Sequence, residues 1–453
     1  MQHGKLSRRD PSFYRNVFAL VVPMALQNLI NVAVTSADVV MLGQVGETVL
    51  SASSLAGQVQ FIMTLFFFGL TSGAAILTAQ YWGKGDTRTI EKVLGIALRF
   101  SLCTGVVFTA AALLAPGFLM HIFTPEEEVV AEGVKYLRII AFAYIPMAIT
   151  NIYLNIMRSV ERVVVSTVTY LLSLITNIGL NAVFIFGLLG FPAMGISGAA
   201  LATVIARFLE LAIVLVYSKK INTTIRFRLR DIFVRDPLLF RDFMTYSIPV
   251  TLNELMWGAG VAMNSVVIGH LGSAAVAANS VAQVTRQLAT VVAFGVANAA
   301  AIMIGKAIGA GDTKRAEEYG GRFLRLTMLF GLAGSGVVLL ARPVLLQFMT
   351  LSPEAQGYLS FMMFVMSYFV FGQAINTTMV VGIFRAGGDA RFGLILDVST
   401  MWGCSILLGA LSAFVFRWSL PAVYVLLMSD EVIKLPFTVW RYRKKYWLRN
   451  ITR

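Results

Sequence analysis

The sequence predicts an all-α membrane protein of twelve transmembrane helices, arranged as two six-helix bundles around a central cavity. Three observations predict it: charge is scarce, apolar runs of spanning length recur from end to end, and the two halves of the chain repeat one another. Of 453 residues, 57% are hydrophobic and 13% charged, against about 25% charged in a soluble domain. The mean hydropathy is +0.76. A helix needs about 20 apolar residues to cross ~30 Å of hydrocarbon. Length alone would allow three soluble domains, and composition overrides it.

The first half gives spans at 13–43, 51–79, 92–114, 133–155, 163–187 and 195–217. The second gives 240–268, 277–304, 318–340, 357–381, 391–414 and 420–441. The first run is long and lacks a small-residue cleavage site, so it reads as a retained signal anchor. Connections after even-numbered spans are basic: Lys84, Arg88 and Lys92; Arg158 and Arg162; Lys314 and Arg315; Arg385 and Arg391. The longest connection, 218–242, adds Lys219, Lys220, Arg226, Arg228, Arg230, Arg235 and Arg241, and the tail adds Arg441-Tyr442-Arg443-Lys444-Lys445. The opposite loops hold chiefly Arg342 and Arg417, and one carries Glu126-Glu127-Glu128. The excess of basic loop residues on one side places both termini in the cytoplasm of a multi-pass plasma-membrane protein. The net charge of +14 is therefore a topology signal with affinity for anionic lipid headgroups, and nucleic acid is not an expected partner. The expected division is a first lobe at 1–217, a cytoplasmic linker at 218–239, a second lobe at 240–441 and a basic tail at 442–453.

Cys103 and Cys404 lie inside apolar runs and read as small hydrophobes. His3, His121 and His270 are scattered without ligand spacing, so no metal site or resident cofactor is expected.

The repeat sharpens the architecture. Shifted by 226, the halves align without a gap from Arg15/Arg241 to Arg99/Arg325, with 25 identities in 85 pairs. Pro23/Pro249, Gly43/Gly269, Gly46/Gly272 and Gly69/Gly295 are among them. The match is densest where Gly83-Lys84-Gly85-Asp86-Thr87 meets Gly309-Ala310-Gly311-Asp312-Thr313. There glycines end the second helix of each half and the Asp caps the third. Six spans per half make the repeat parallel, with its axis along the membrane normal. Two equivalent lobes around a cavity suit alternating access, and a scaffold or receptor has no comparable need for them.

Ionisable groups inside a membrane cost about 2.5–3.5 kcal/mol on insertion scales, so each asks for a reason. Counting back from Asp38 gives Thr35, Asn31 and Gln27, one polar stripe on the first helix. A carboxylate withdrawn from water holds its proton more tightly, which suits loading and release near neutral pH; the alternative is a packing hydrogen bond. The fifth span repeats the pattern with Ser166, Tyr170, Ser173, Asn177 and Asn181, and Thr203 lies on the sixth. Together with Asp38 these form a candidate cation pocket. Glu254 lies about eleven residues into its span, roughly 16 Å deep at 1.5 Å per residue. In the repeat Glu254 pairs with Asn28 and Asp38 with Asn264, so the acids occupy non-equivalent places and the lobes take different jobs. Asp397 is a further cavity candidate, and Arg286 is expected to neutralise Glu254 or Asp397. Asp430 with Lys434, at i,i+4, and Arg207 with Glu210, at i,i+3, read as self-neutralising structural pairs. Pro23 and Pro249 are candidate bend points.

These residues resemble the multidrug and toxic compound extrusion (MATE) transporters over essentially the full chain. The resemblance rests on Pro23, Asp38-Val39-Val40-Met41-Leu42-Gly43, the paired Gly-x-Gly-Asp loops, and Arg385-Ala386-Gly387-Gly388-Asp389-Ala390-Arg391. Asn253-Glu254-Leu255-Met256-Trp257-Gly258 is similar to a bacterial branch. The resemblance implies a V-shaped, monomeric exporter in a bacterial inner membrane that releases organic cations and drugs in exchange for H+ or Na+. It carries the first-lobe cation site onto Asp38, Asn177, Asn181 and Thr203, and the helix-seven acid onto Glu254. Some members have Asp where this chain has Asn181, and the helix-ten acid of some Na+-coupled members corresponds to Asn376. The first difference weighs against a proton relay through that position and the second against a second-lobe Na+ site, and the expected coupling ion leans to H+.

A lipid-linked oligosaccharide flippase or a dedicated metabolite exporter of the same fold is the competing transport reading. It needs several cavity-facing Arg or Lys, and the sequence offers chiefly Arg286. An intramembrane enzyme needs a nucleophile with its base, metal ligands or a paired acid, and none of these patterns occurs.

Overall fold

The computed structural model describes residues 11–226, 229–348 and 351–453. His3 and Arg228 lie outside the described residues. Twelve spans follow in order: α1 Pro11–Val45, α2 Glu47–Lys84, α3 Thr87–Leu114, α4 Glu127–Ser159, α5 Val163–Phe186 and α6 Ile196–Ile221; then α7 Pro237–Gly269, α8 Ser273–Gly309, α9 Thr313–Phe348, α10 Pro353–Phe384, α11 Ala390–Val415 and α12, built from Leu420–Leu427 and Asp430–Arg443. Among the described residues, ten are long and apolar enough to cross a membrane by themselves. The other two are α7, diluted by Asn253, Glu254 and Asn264, and α12, broken at Met428–Ser429. Asn253 and Glu254 pair with Asp397 and Arg385 on other helices, and Asp430, Glu431 and Lys434 of α12 are buried. The spans outrun their apolar cores: α4 ends at Ser159 and α10 at Phe384, beyond the limits of 155 and 381 read from hydropathy. A helix keeps its backbone bonded past the hydrocarbon edge, whereas hydropathy registers only the edge. A short helix, Pro116–Phe123, between α3 and α4 was not expected either.

The helices sort into two bundles, α1–α6 and α7–α12. In the first, α4 packs on α2, α3 and α6, and α5 lies between α1 and α6. In the second, α8, α9 and α10 pack mutually, with α7 on α11 and α10 on α12. Each lobe lends the start of its first helix to the other. Phe13 on α1 meets Phe323 on α9, with ring centroids 5.3 Å apart, and Phe243 on α7 stacks on Phe100 of α3 at 5.9 Å.

Between the lobes, α2 packs on α7 and α8, and α1 on α8. The tightest approach lies at the basic ends of α2 and α8. A Cβ on Gly83 would sit 1.9 Å from the Lys306 carbonyl oxygen, and one on Gly309 would sit 1.8 Å from that of Gln80. The 226-residue shift converts the first contact into the second, so the pseudo-two-fold axis runs through this crossing. From this seam the lobes diverge as a V. Just beyond it the paired loops behave alike. Gly85 (φ 81°) and Gly311 (φ 80°) take left-handed backbone that suits glycine, and Asp86 and Asp312 accept from Thr89 N and Arg315 N, each at 3.0 Å.

The region between the lobes is pinned rather than trailing. Leu229–Phe233 forms one short helix against α3, where Arg99 donates to the carbonyls of Ile232 (2.8 Å) and Val234 (3.0 Å) and Arg88 pairs with buried Asp231 at 2.9 Å. The basic tail is fixed too. Gln80 Nε2 donates to Ala386 O and Arg449 O, Ile451 N donates to Gln80 Oε1, and Arg453 pairs with Asp242 at 2.9 Å.

Candidate functional site

In the first lobe, the polar stripes of α1 and α5 meet. Asn181 Nδ2 donates to Asp38 Oδ1 at 2.5 Å and to Asn177 Oδ1 at 3.3 Å, and Asn177 Nδ2 donates to Thr203 Oγ1 at 3.2 Å. Asn177 and Asn181 sit four apart, one turn of the same face, which lets one amide relay to the next. The relay joins α1, α5 and α6 by hydrogen bonds alone. Asn181 Oδ1 is buried with no hydrogen-bond partner among the described residues. The site therefore offers a carboxylate and an orphaned amide oxygen side by side, a hard oxygen set suited to a proton or a small cation. One turn beyond Thr203, Arg207 pairs with Glu210 at 2.5 Å.

The rest of the first stripe divides. Asn31 lines the central cavity, and Thr35 bonds the Asn31 carbonyl at 3.2 Å. Gln27 is buried away from the cavity and ties α1 to α5, donating to Ser166 Oγ and Thr167 Oγ1, both at 2.8 Å. A stripe one residue wide spans about 100° of helix surface, so its members need not share one neighbour. Tyr170 is partly buried on α5 and packs into the first-lobe core.

The central cavity, about 430 Å³, lies mainly against the second lobe, between α1 and α2 on one side and α7, α8, α10, α11 and α12 on the other. That volume suits a drug-sized molecule. Glu254, Arg286, Asn376, Asp397, Glu431 and Lys434 all face it, with Trp257 and Phe294 among its aromatic walls. Asn264 lies in an adjoining pocket that shares Arg286 and Trp257, and its Oδ1 has no partner among the described residues.

Arg286 neutralises neither Glu254 nor Asp397, contrary to expectation. It donates to Gln283 Oε1 at 2.8 Å and Gln373 Oε1 at 3.3 Å. Arg385, at the end of α10, pairs with Glu254 at 2.9 Å instead. Lys434 pairs with Asp397 at 3.0 Å, Asp430 at 3.1 Å and Glu431 at 3.3 Å. The i,i+4 pair read from sequence is thus one edge of a four-residue cluster. Asn253 donates to Asp397 at 3.0 Å, and Asn376 Nδ2 donates to Glu431 Oε2 at 2.7 Å. Asp397 heads a wide-turned π segment, Val398–Ile406, and Asn376 precedes another, Thr378–Phe384. Such inserted turns rotate the helix face and recur at functional sites.

Below the cavity, toward the basic side, lies a smaller floor of about 110 Å³ that takes in Arg158 and Arg385. Cavity-facing cations are therefore Arg158, Arg286, Arg385 and Lys434, rather than chiefly Arg286. Arg158 and Arg385 end helices and count as loop charges in a topology reading, yet both line the floor of the cavity. Glu431 escaped notice because it adjoins the pair Asp430 and Lys434.

The MatE family model matches residues 23–183 and 249–436, which include the second-lobe cavity residues and, of the first-lobe relay, Asp38, Asn177 and Asn181 but not Thr203. A probable multidrug resistance protein NorM of Rhizobium meliloti (strain 1021) is 28% identical over 398 residues, covering 86% of this chain and 85% of its own. The uncharacterized transporter YisQ of Bacillus subtilis (strain 168) is 21% identical, covering 96% and 95%. Among solved structures, an outward-facing multidrug resistance MATE family transporter of the MOP superfamily superposes with a TM-score of 0.85 at 20% identity, covering 97% of this chain and 96% of that one. A MOP superfamily transporter from Pyrococcus furiosus, described as having a binding pocket of reverse polarity, superposes at 0.87 with 20% identity over 97% and 96%.

Proposed function

From the premise that this chain belongs to the MatE family of transporters, we propose that it exports amphipathic organic cations and drugs in exchange for protons, by alternating access. The observation that carries the reading is the 2.5 Å contact between Asn181 Nδ2 and Asp38 Oδ1. An amide N–H bonded to a carboxylate is charge-assisted, and protonating the carboxylate weakens it. Proton loading at Asp38 loosens the tie between α1 and α5, and proton release restores it. Since α1 also packs on α8 of the second lobe, the tie links the first lobe's protonation to the fit between lobes. The central cavity, with aromatic walls and a majority of apolar lining, takes the substrate.

The second lobe supports protons over Na+. Lys434 Nζ already fills the centre of the carboxylates of Asp397, Asp430 and Glu431, the place where a metal cation would need to sit. Taking the basic side as cytoplasmic, the α2–α8 seam closes the cytoplasmic end and the V opens outward, with both termini inside. The setting is a bacterial inner membrane, with lipids as the surrounding partners and a monomer as the working unit.

The test is ethidium efflux from energised cells lacking their own pumps, comparing wild type with Asp38→Asn at matched expression. Efflux by wild type and none by the variant supports the reading. Equal efflux moves the coupling role to Glu254, and no efflux by expressed wild type moves a dedicated metabolite ahead of drugs.

A further inference from the structure

We infer that the floor of the central cavity is a subsite for a carboxylate, bound between Arg158 of the first lobe and Arg385 of the second. The inference rests on the exporter reading and extends its substrates beyond organic cations to drugs that carry an acid group on an apolar body.

The two arginines are structural equivalents. Arg385 leaves α10 in a turn where Gly388 N donates to Arg385 O and Asp389 N to Phe384 O, both at 2.9 Å. Arg158 leaves α4 in the same pattern, with Glu161 N on Arg158 O at 3.0 Å and Arg162 N on Met157 O at 2.8 Å. Their counter-ions are not equivalent. Arg385 is 3% exposed, pairs with Glu254 at 2.9 Å and donates to Ser72 Oγ at 3.1 Å. The repeat places Asn28 where Glu254 stands, so the first lobe keeps the arginine and has lost the acid.

Among the described residues, Arg158 bonds only the Gln27 amide oxygen, at 3.2 Å, and pairs with no carboxylate. A guanidinium withdrawn from water inside a protein ordinarily has an acidic partner, and carboxylates fit its fork with two parallel bonds. Asn28 and Asn155 face the same floor and can donate their amide N–H groups to the oxygens. Asn28, Phe68, Asn298, Val381 and Arg385 line both the floor and the 430 Å³ chamber. An acid can therefore rest on the floor while its apolar body fills the chamber.

The experiment measures binding of a xanthene dye bearing a free carboxylate, and of its methyl ester, to the purified full-length protein by fluorescence polarisation. Wild type is expected to prefer the acid. In Arg158→Gln the acid-to-ester preference falls roughly 10- to 100-fold, the worth of one charged hydrogen-bonding partner, and Arg158→Lys keeps part of it. Asn28→Asp guards against misfolding of the arginine variants: it supplies an internal counter-ion, and the acid preference is expected to fall there as well. Equal binding of the two dyes by wild type, or an unchanged preference in both Arg158→Gln and Asn28→Asp, overturns the subsite. Export of the ester by wild-type vesicles is scored separately. If dyes bind without preference while the ester is pumped, the subsite fails and the exporter reading stands. If acid preference depends on Arg158 while neither dye is pumped, the subsite stands and the exporter reading fails.

Discussion

Lys306 on α8 and Glu161 in the turn after α4 meet across the lobes, with Nζ 2.5 Å from Oε2. Trp82 of α2 adds a hydrogen bond from Nε1 to the same oxygen at 3.1 Å. Glu161 holds φ at 65°, whereas the equivalent turn of the second lobe uses Gly388 at 77°. A non-glycine residue there costs on the order of 1–3 kcal/mol, and the interlobe clamp offsets part of that strain. The repeat supplies a matching clamp across the axis, because Lys306 corresponds to Gln80, which donates to Ala386 O in the opposite turn at 2.8 Å.

Breaking the charged clamp should favour opening on the basic side. The pair is 44% and 31% exposed, so it is worth at most about 1 kcal/mol, or up to roughly a fivefold change in population. Labelling of a cysteine at Ser159, buried beside the cavity floor, should rise by that factor in Glu161→Gln and Lys306→Gln, in a background lacking Cys103 and Cys404. The charge swap Glu161→Lys with Lys306→Glu should return it toward wild type. Unchanged labelling in both single variants removes the clamp from the gate.

The glycine crossing should tolerate no side chain. Gly83→Ala and Gly309→Ala each drive a Cβ to within 2 Å of a carbonyl oxygen, and overpacking of this kind typically costs about 1–3 kcal/mol. Both variants should show raised Ser159→Cys labelling and reduced efflux, to similar extents, because the repeat relates them. Full transport by either variant contradicts the seam as drawn.

The tail should matter in two separable ways. Trp447 is fully buried and stacks on Tyr442 with centroids 5.6 Å apart. Trp447→Ala should cost about 3–5 kcal/mol and lower the melting temperature. Removing 449–453 leaves that packing intact and cuts the bonds to Gln80 and Asp242, so melting should move less while labelling at the floor rises. Identical melting in the two variants would refute the distinction.

Lys434 should be replaceable by a metal cation. Lys434→Ala leaves Asp397, Asp430 and Glu431 facing one another, and loss of one partner from a buried ion cluster typically costs about 3–5 kcal/mol. Carboxylate oxygens are hard ligands that favour hard cations, so Na+ should raise the variant's melting temperature where choline does not, with no such difference in wild type. A variant indifferent to Na+ contradicts the view of Lys434 as a built-in cation.

The contrast between what the sequence revealed and what it hid follows from the reach of each signal. The twelve spans, the repeat and the glycine-aspartate caps were legible because they are properties of consecutive residues. The meeting of Asp38 with Asn177, Asn181 and Thr203 was legible because polar stripes on apolar helices seek one another. The partners of Glu254 and Asp397 were not, since Arg385 and Lys434 come from helices more than 35 positions away and either could have been Arg286. Arg158 was hidden for another reason. At a helix end a basic residue serves topology and cavity equally well, and only the packing around Arg158 at the cavity floor decides between them.

The central claim, that Asp38 exchanges a proton for the exported compound, is tested most directly by following lumenal pH in sealed proteoliposomes when ethidium is added on the basic side. Wild type should release protons to the basic side as ethidium enters the lumen, and Asp38→Asn, with the same shape and no titratable group, should move neither. Ethidium uptake by wild type without proton movement, or proton-coupled uptake retained in Asp38→Asn, would contradict the account.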